Sequence, residues 1–380
     1  MTRVLMVSDV FFPRINGVST SIDTFQQCLS AEGVEVTLVA PDYGNSPQHE
    51  RLVRISAKPV PNDPEDRFMR WGELHQTLNR LVPEHDVVHI QTPFLAHYAG
   101  LKAARTHGKP VVATYHTLFE EYLYHYVPWV PSAWMKGLAR RFSRQQCNAL
   151  NALIVPSTAM RQRLGDYGVN VPMQVIPTGI PLQRFHEASG LPFRQVHQIE
   201  ADRPLSLFVG RVAHEKNIDF LIKAHQVALK QCPQALLLIT GEGPALPDLH
   251  AMVAQLGLQD SVRFIGYLDR QHTLPQAYAA ADVFVFASRT ETQGLVLIEA
   301  MASATPVLAL SIMGTQDIMR DAPGCITGVD DVQAFGQQMG QMLNDRAHCH
   351  DLGLAARETS LRWSDQALAA RLANFYLQQL

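Results

Sequence analysis

Two glutamates with seven residues between them, Glu291 and Glu299, lie in the stretch SRTETQGLVLIEAMASATPV, residues 288–307. Glu291 belongs to a polar loop, and Gly294 opens an apolar helix that carries Glu299. A helix start offers unpaired N–H groups and the positive end of the helix dipole, which suits a phosphate. Glycine allows that backbone to approach a ligand closely. Glu299 is flanked by LVLI and AMA. An unpaired carboxylate there is costly, so it needs a donor: the hydroxyls of a ribose or an arginine of the chain itself. A second constellation is FVGRVAHEKNIDFLI, residues 208–222, where a strand ends at Gly210 and Arg211 and Lys216 follow before the next helix. Two cations at a strand end can clamp a diphosphate and stabilise it as a leaving group, or can be ordinary surface charges. TGEGP, residues 240–244, places Gly241 in a turn after another strand but matches neither a dinucleotide fingerprint nor a P-loop. In the first half, PRING ends in Gly17, between a strand and a helix, and ATYHTLFEEY sets His116 at a strand end. The chain has 16 histidines, so His116 by itself is open to a structural or a catalytic role.

The elements that must position these residues follow from the apolar runs. Residues 4–7, 34–39, 86–90, 111–115, 152–155 and 174–176 read as buried strands, with a helix near 19–31. The pattern then restarts, with strands at 205–209, 235–239, 262–265, 283–286 and 306–309 and helices at 217–230, 247–256, 276–280 and 295–302. Strands apolar throughout and alternating with helices imply parallel sheets covered on both faces. Residues 178–204 are rich in Pro, Gly and polar side chains and read as a linker. The expectation is α/β: two doubly wound, Rossmann-like domains, residues 1–180 and 181–360, facing across a cleft, with a closing helix at about 361–380 that returns to the first. Ligands of such sheets bind beyond the carboxyl ends of the strands.

Composition narrows the class. The 380 residues are 47% hydrophobic and 18% charged, enough for two cores, which excludes intrinsic disorder. The net charge of −3 argues against a nucleic-acid partner. Five scattered cysteines without a CxxC pair fit neither a disulfide framework nor a thiolate zinc site. The N-terminus lacks the apolar core of a signal peptide, and no run reaches the length of a membrane span, so the chain is expected to be cytoplasmic. Charge is unevenly shared: residues 1–180 hold 17 basic and 15 acidic side chains, and residues 181–380 hold 15 and 20. Residues 122–165 carry Lys136, Arg140, Arg141, Arg144, Arg161 and Arg163 and no acid. The first four share roughly one helical face, beside aromatics that include Tyr122, and Leu138 and Phe142 lie on another. A basic amphipathic helix of this kind suits an anionic membrane surface, or is simply solvated.

Taken in order, PRINGVS, TYHT, VIPTGI, GRVAHEKNIDFLI, GEGP and SRTETQGLVLIEAMA resemble the retaining glycosyltransferases of GT-B fold, a family that includes bacterial phosphatidylinositol mannosyltransferases and diacylglycerol glucosyltransferases. The resemblance spans nearly the whole chain. It implies that Arg211 and Lys216 clamp the diphosphate of a UDP- or GDP-sugar, Glu299 holds its ribose, Glu291 holds hydroxyls of the donor sugar, and the N–H groups of Gly294, Leu295 and Val296 touch sugar or phosphate. It implies further that Gly17 lets the first loop approach the phosphates, that Gly210 and Gly241 border the donor, and that Ile265, Gly266 and Tyr267 read the base edge through their backbone. His116 would contact the donor sugar near the reacting carbon. Relatives often read Pro-Thr-Gly-Ile-Asp where Pro181 stands in this chain.

The implied reaction is metal-independent hexosyl transfer to an acceptor hydroxyl with retained configuration, without a cofactor. The acceptor implied is a glycerolipid or other membrane lipid, reached by a peripheral enzyme on the inner face of the cytoplasmic membrane through Tyr122, Lys136, Arg140, Arg141 and Arg144. A soluble or polysaccharide acceptor, a nucleotide-sugar 2-epimerase of the same layout and a two-lobed sugar-binding protein are the alternatives. The sequence leaves the oligomeric state open.

Overall fold

The computed structural model describes all residues except 15, 45–49, 61–62 and 117–131. It divides into two compact units, Met1–Gly179 together with Asp365–Leu380, and Ile180–Ser364.

The first unit is built on β1 (Thr2–Val7), β2 (Val34–Pro41), β3 (Leu52–Ile55), β4 (Ala57–Val60), β5 (Asp63–Met69), β6 (Val87–Ile90), β7 (Val111–Thr114), β8 (Ala152–Val155) and β9 (Met173–Val175). Seven of these form one sheet in the order β3-β2-β1-β6-β7-β8-β9, and every adjacent pair is parallel. The order reverses between β1 and β6, the switch point at which doubly wound sheets bind ligands. Val4, Leu5, Met6 and Val7 are fully buried because helices cover both faces, which is why the strand is apolar at every position. The helix Gly17–Leu29 begins where Asn16 accepts the Ser19 N–H at 2.8 Å. The helix Asp365–Leu377 packs on it, and its Tyr376 hydroxyl lies 2.6 Å from Nδ1 of His89 in β6.

The second unit holds β10 (Leu205–Val209), β11 (Leu236–Thr240), β12 (Val262–Phe264), β13 (Val283–Phe286), β14 (Val307–Ala309) and β15 (Cys325–Thr327). Their order, β12-β11-β10-β13-β14-β15, repeats the same winding, with its switch point between β10 and β13.

Three features differ from the sequence reading. Residues 178–204 are not an irregular linker, for they contain the helices Leu182–His186 and Gly190–Val196. Phe185 and Phe193 are buried, and the guanidinium of Arg194 donates to the carbonyls of Ala280, Glu200 and Arg203 and pairs with Asp282. Helices of one or two turns are too short to show a period, so their anchoring side chains passed for loop residues. β4 and β5 form an antiparallel ribbon where no strand was read, because AKPV and DPEDRFM carry charge and proline. β3 and β15 were also missed, because most of their residues are only half-buried and neither reads as a buried apolar run.

Candidate active site

In the second unit, the predicted donor residues gather at the carboxyl ends of β10, β11, β12 and β13. Beyond β10, the Gly210 N–H donates to the Thr240 carbonyl at 3.1 Å, and the Val212 N–H to the Glu242 carbonyl at 2.9 Å. Beyond β11, the Gly241 N–H donates to the Gly266 carbonyl at 2.7 Å, which also accepts from the Thr240 hydroxyl at 2.7 Å. Gly241 has φ +122°, and a Cβ there would lie 1.9 Å from the Gly210 carbonyl oxygen. Only glycine lets these two strand ends lie so close. Ile265 and Gly266 are half-buried, and Tyr267 is exposed.

The connection after β10 carries the two cations. Arg211 is exposed and, among the described residues, has no ion-pair partner. Lys216 closes a short 3-10 turn, His214–Lys216, followed by Asn217 in the left-handed region, φ 57°, whose side chain donates to the Ala287 carbonyl at 3.1 Å. That bond ties the loop to the end of β13. Lys216 Nζ meets Glu291 Oε1 at 2.5 Å, with the two side chains 21% and 17% exposed. The structure therefore joins a predicted diphosphate cation to the predicted sugar carboxylate. Gly294, at φ +95°, caps the helix Leu295–Ala302, whose first N–H groups have no intrahelical acceptor.

Glu299 is 2% exposed. Its Oε1 accepts from Arg270 at 2.9 Å and its Oε2 from the Tyr278 hydroxyl at 2.8 Å. The arginine that the sequence allowed as one partner is present. Burial, and then the Glu299 charge, hold the Tyr278 hydroxyl well above the usual phenol range. Neither Arg270 nor Tyr278 was picked out from sequence: the apolar run around Glu299 demanded a donor but did not say which.

In the first unit, the ends of β1, β6 and β7 come together. His116 Nε2 lies 2.8 Å from Gln91 Oε1, and burial lowers the His116 pKa to about 4, so the ring is neutral at pH 7. Asp9, unnoticed in the sequence, accepts from the Thr92 hydroxyl at 2.7 Å and from the Ala96 N–H at 3.1 Å. Burial outweighs these bonds and raises its pKa to about 6. Gly17 is exposed, and a Cβ there would meet nothing within 4 Å, so the fold of this unit does not itself require glycine.

The helix Ser132–Cys147 buries Ala139, Ser143, Gln146 and Cys147 on one side. Arg140, Arg141 and Arg144 are exposed, as is Leu138 at 65%, while Phe142 is half-buried. The Arg140 guanidinium stacks over the Tyr167 ring at 5.2 Å, and Arg144 packs beside Gly168. Tyr122 and the side chain of Lys136 lie outside the described residues. Among the described residues, no helix is long and apolar enough to cross a membrane.

Residues 192–359 match the family described as Glycosyl transferases group 1, and residues 15–184 match Glycosyltransferase Family 4. The chain is 33% identical over 317 residues to the alpha-monoglucosyldiacylglycerol synthase of Streptococcus pneumoniae, covering 81% of this chain and 70% of that one. It is 27% identical to the GDP-mannose-dependent alpha-(1-6)-phosphatidylinositol monomannoside mannosyltransferase of Mycolicibacterium smegmatis, over 97% of both chains. Among solved structures, sucrose-phosphate synthase from Thermosynechococcus elongatus superposes with a TM-score of 0.79 at 24% identity, covering 100% of this chain and 99% of that one. Anabaena Alr3699/HepE in complex with UDP gives 0.78 at 18%, over 100% of both. The fold is thus GT-B, and these relatives favour transfer over the epimerase alternative.

Proposed function

The chain belongs to the glycosyl transferases group 1, hexosyltransferases of GT-B fold, and from that premise we propose that it is a retaining, metal-independent enzyme that moves a hexose from a UDP- or GDP-sugar to a lipid hydroxyl. The observation that carries this reading is the Lys216–Glu291 pair at the β10–β13 switch point, with Arg211 on the same loop as the lysine. The pair supports the reading because it brings together a cation suited to a departing diphosphate and a carboxylate suited to sugar hydroxyls.

In this reading, Arg211 and Lys216 hold the diphosphate and stabilise the charge that develops as the anomeric carbon–oxygen bond breaks. The N–H groups of Gly294, Leu295 and Val296 contribute to the same charge. Glu299 accepts from the ribose, Glu291 from the sugar, and the backbone of residues 265–267 meets the base. Gly17 leaves room for the phosphates at the start of its helix. His116, neutral at pH 7, serves as a hydrogen-bonding contact for the donor sugar rather than as an acid. The acceptor oxygen bonds to the anomeric carbon on the face the diphosphate leaves, and its proton passes to the departing phosphate oxygen. Configuration is retained without a covalent intermediate.

The names of the relatives support a lipid acceptor, and the basic outer face of the helix Ser132–Cys147 supports work at an anionic surface. The test incubates the enzyme with UDP-glucose or GDP-mannose and vesicles containing diacylglycerol or phosphatidylinositol, with and without EDTA. An α-linked glycolipid, identified by the one-bond carbon–proton coupling at its anomeric carbon and formed equally in EDTA, is the expected product. A β-linkage refutes retention, loss of activity in EDTA refutes metal independence, and transfer to soluble sugars alone refutes the lipid acceptor.

A further inference from the structure

A carboxylate as deeply buried as Glu299 needs its charge compensated as well as its lone pairs filled. Two groups reach it, and they differ in kind. Tyr278, fully buried in the helix Thr273–Ala280, supplies a neutral hydroxyl. Arg270, on the loop that leaves β12, supplies a positive charge from a side chain that is 45% exposed. Among the described residues, Arg270 makes the ion pair recorded for Glu299.

An ionised carboxylate has about four lone-pair sites. Arg270 and Tyr278 take one on each oxygen, so one remains on each oxygen, matching a cis diol that offers two hydroxyl donors. We propose that Arg270 is a positioning residue for ribose recognition. It stays on Oε1 when the donor binds and holds the carboxylate in place. It also keeps the negative charge that makes the ribose hydrogen bonds strong. This rests on the reading of Glu299 as the ribose ligand. The cation is supplied from the solvent-exposed side of the site, three residues beyond Tyr267, so ribose binding and the base-reading loop share one short segment.

Hydrogen bonds to a charged acceptor are worth roughly twice those to a neutral one, so losing the cation should cost on the order of tenfold in affinity for a ribonucleotide. The experiment is calorimetric titration with whichever of UDP-glucose and GDP-mannose binds, and with its 2′-deoxyribose counterpart. The proteins are wild type, R270Q, R270K, Y278F, E299Q and the R270Q/E299Q double variant. The wild type is expected to prefer the ribonucleotide, R270Q to lose that preference, and R270K to regain most of it. Y278F, which keeps the guanidinium, retains the preference, and the double variant is no weaker than E299Q alone. A structural role for Arg270 would lower the affinity for both nucleotides equally and would add to the E299Q loss. That result overturns the proposal, as do tighter binding by R270Q, an unchanged preference in R270Q and loss of the preference in Y278F. If the wild type itself fails to distinguish the two sugars and E299Q binds as the wild type does, the ribose reading of Glu299 is what has failed. If E299Q abolishes the preference and R270Q does not, only the role of Arg270 is lost.

Discussion

Arg211→Ala and Lys216→Ala should damage turnover alike and stability differently. Loss of one preorganised charge from a developing leaving group lowers turnover by on the order of 10²–10³, or about 2.7–4 kcal/mol. Arg211 is exposed without an ion pair among the described residues, so its removal uncovers nothing. The cost to stability should stay within about 0.5 kcal/mol, a shift of no more than about 2 °C in melting temperature for a unit of this size. Lys216 is different. Its ammonium lies 2.5 Å from Glu291, with the side chains 21% and 17% exposed. Lys216→Ala leaves a mostly buried carboxylate without that cation, at about 1–3 kcal/mol, below the range for a fully buried pair because some solvent reaches the site. The melting temperature should fall by about 2–12 °C. A Lys216→Ala/Glu291→Gln double variant removes the stranded charge, so it should regain stability without regaining turnover. Release of nucleoside diphosphate during transfer to lipid vesicles measures turnover, and thermal unfolding by circular dichroism measures stability. Near-normal turnover in a folded single variant takes that residue out of the clamp. A melting shift in Arg211→Ala as large as that in Lys216→Ala refutes the structural reasoning.

Three further outcomes follow from the same geometry. Glu299→Ala should weaken binding of free UDP or GDP measured by calorimetry, whereas Glu291→Ala should leave it nearly unchanged and depress transfer; equal losses would reverse the assignment. Wild-type protein should sediment with anionic but not neutral vesicles, lose that binding in 1 M salt, and lose it when Lys136, Arg140, Arg141 and Arg144 become Ser, since each cation is worth about 1 kcal/mol at an anionic surface; equal binding to neutral vesicles excludes the electrostatic mode. His225 is fully buried, and burial lowers its pKa to about 4, so as pH falls from about 6.5 the unfolded chain gains a proton that the folded chain refuses, and about 3 kcal/mol of stability present above pH 6.5 is lost by pH 4. Urea unfolding of His225→Leu should show a correspondingly flatter pH dependence over that window, and an unchanged slope would place the acid sensitivity elsewhere.

Sequence alone located the strands that helices cover on both faces. ALIV, LSLFV and VFVF are apolar at almost every position because every position is buried, and their bounds coincide with β8, β10 and β13. It did not locate β3, the β4–β5 ribbon or the helices of residues 182–196, where half-exposed or very short elements leave no period to read. The candidate site divides in the same way. Residues on loops that follow a buried strand, such as Lys216 and Glu291, stand out because the strand's end is visible and a charge beyond it is conspicuous. Their partners do not, because the fold selects them across distance. Asp9 and Thr92 are 83 residues apart, and they meet because the sheet order sets β6 beside β1. Arg270 and Tyr278 lie 29 and 21 residues before Glu299 and reach it only because β12 and the following helix pack where they do. A short motif can therefore announce that a buried carboxylate needs donors, whereas the choice between a ligand's hydroxyls and the chain's own arginine is made by topology. In this chain topology brings Arg270 to one carboxylate oxygen of Glu299 and Tyr278 to the other.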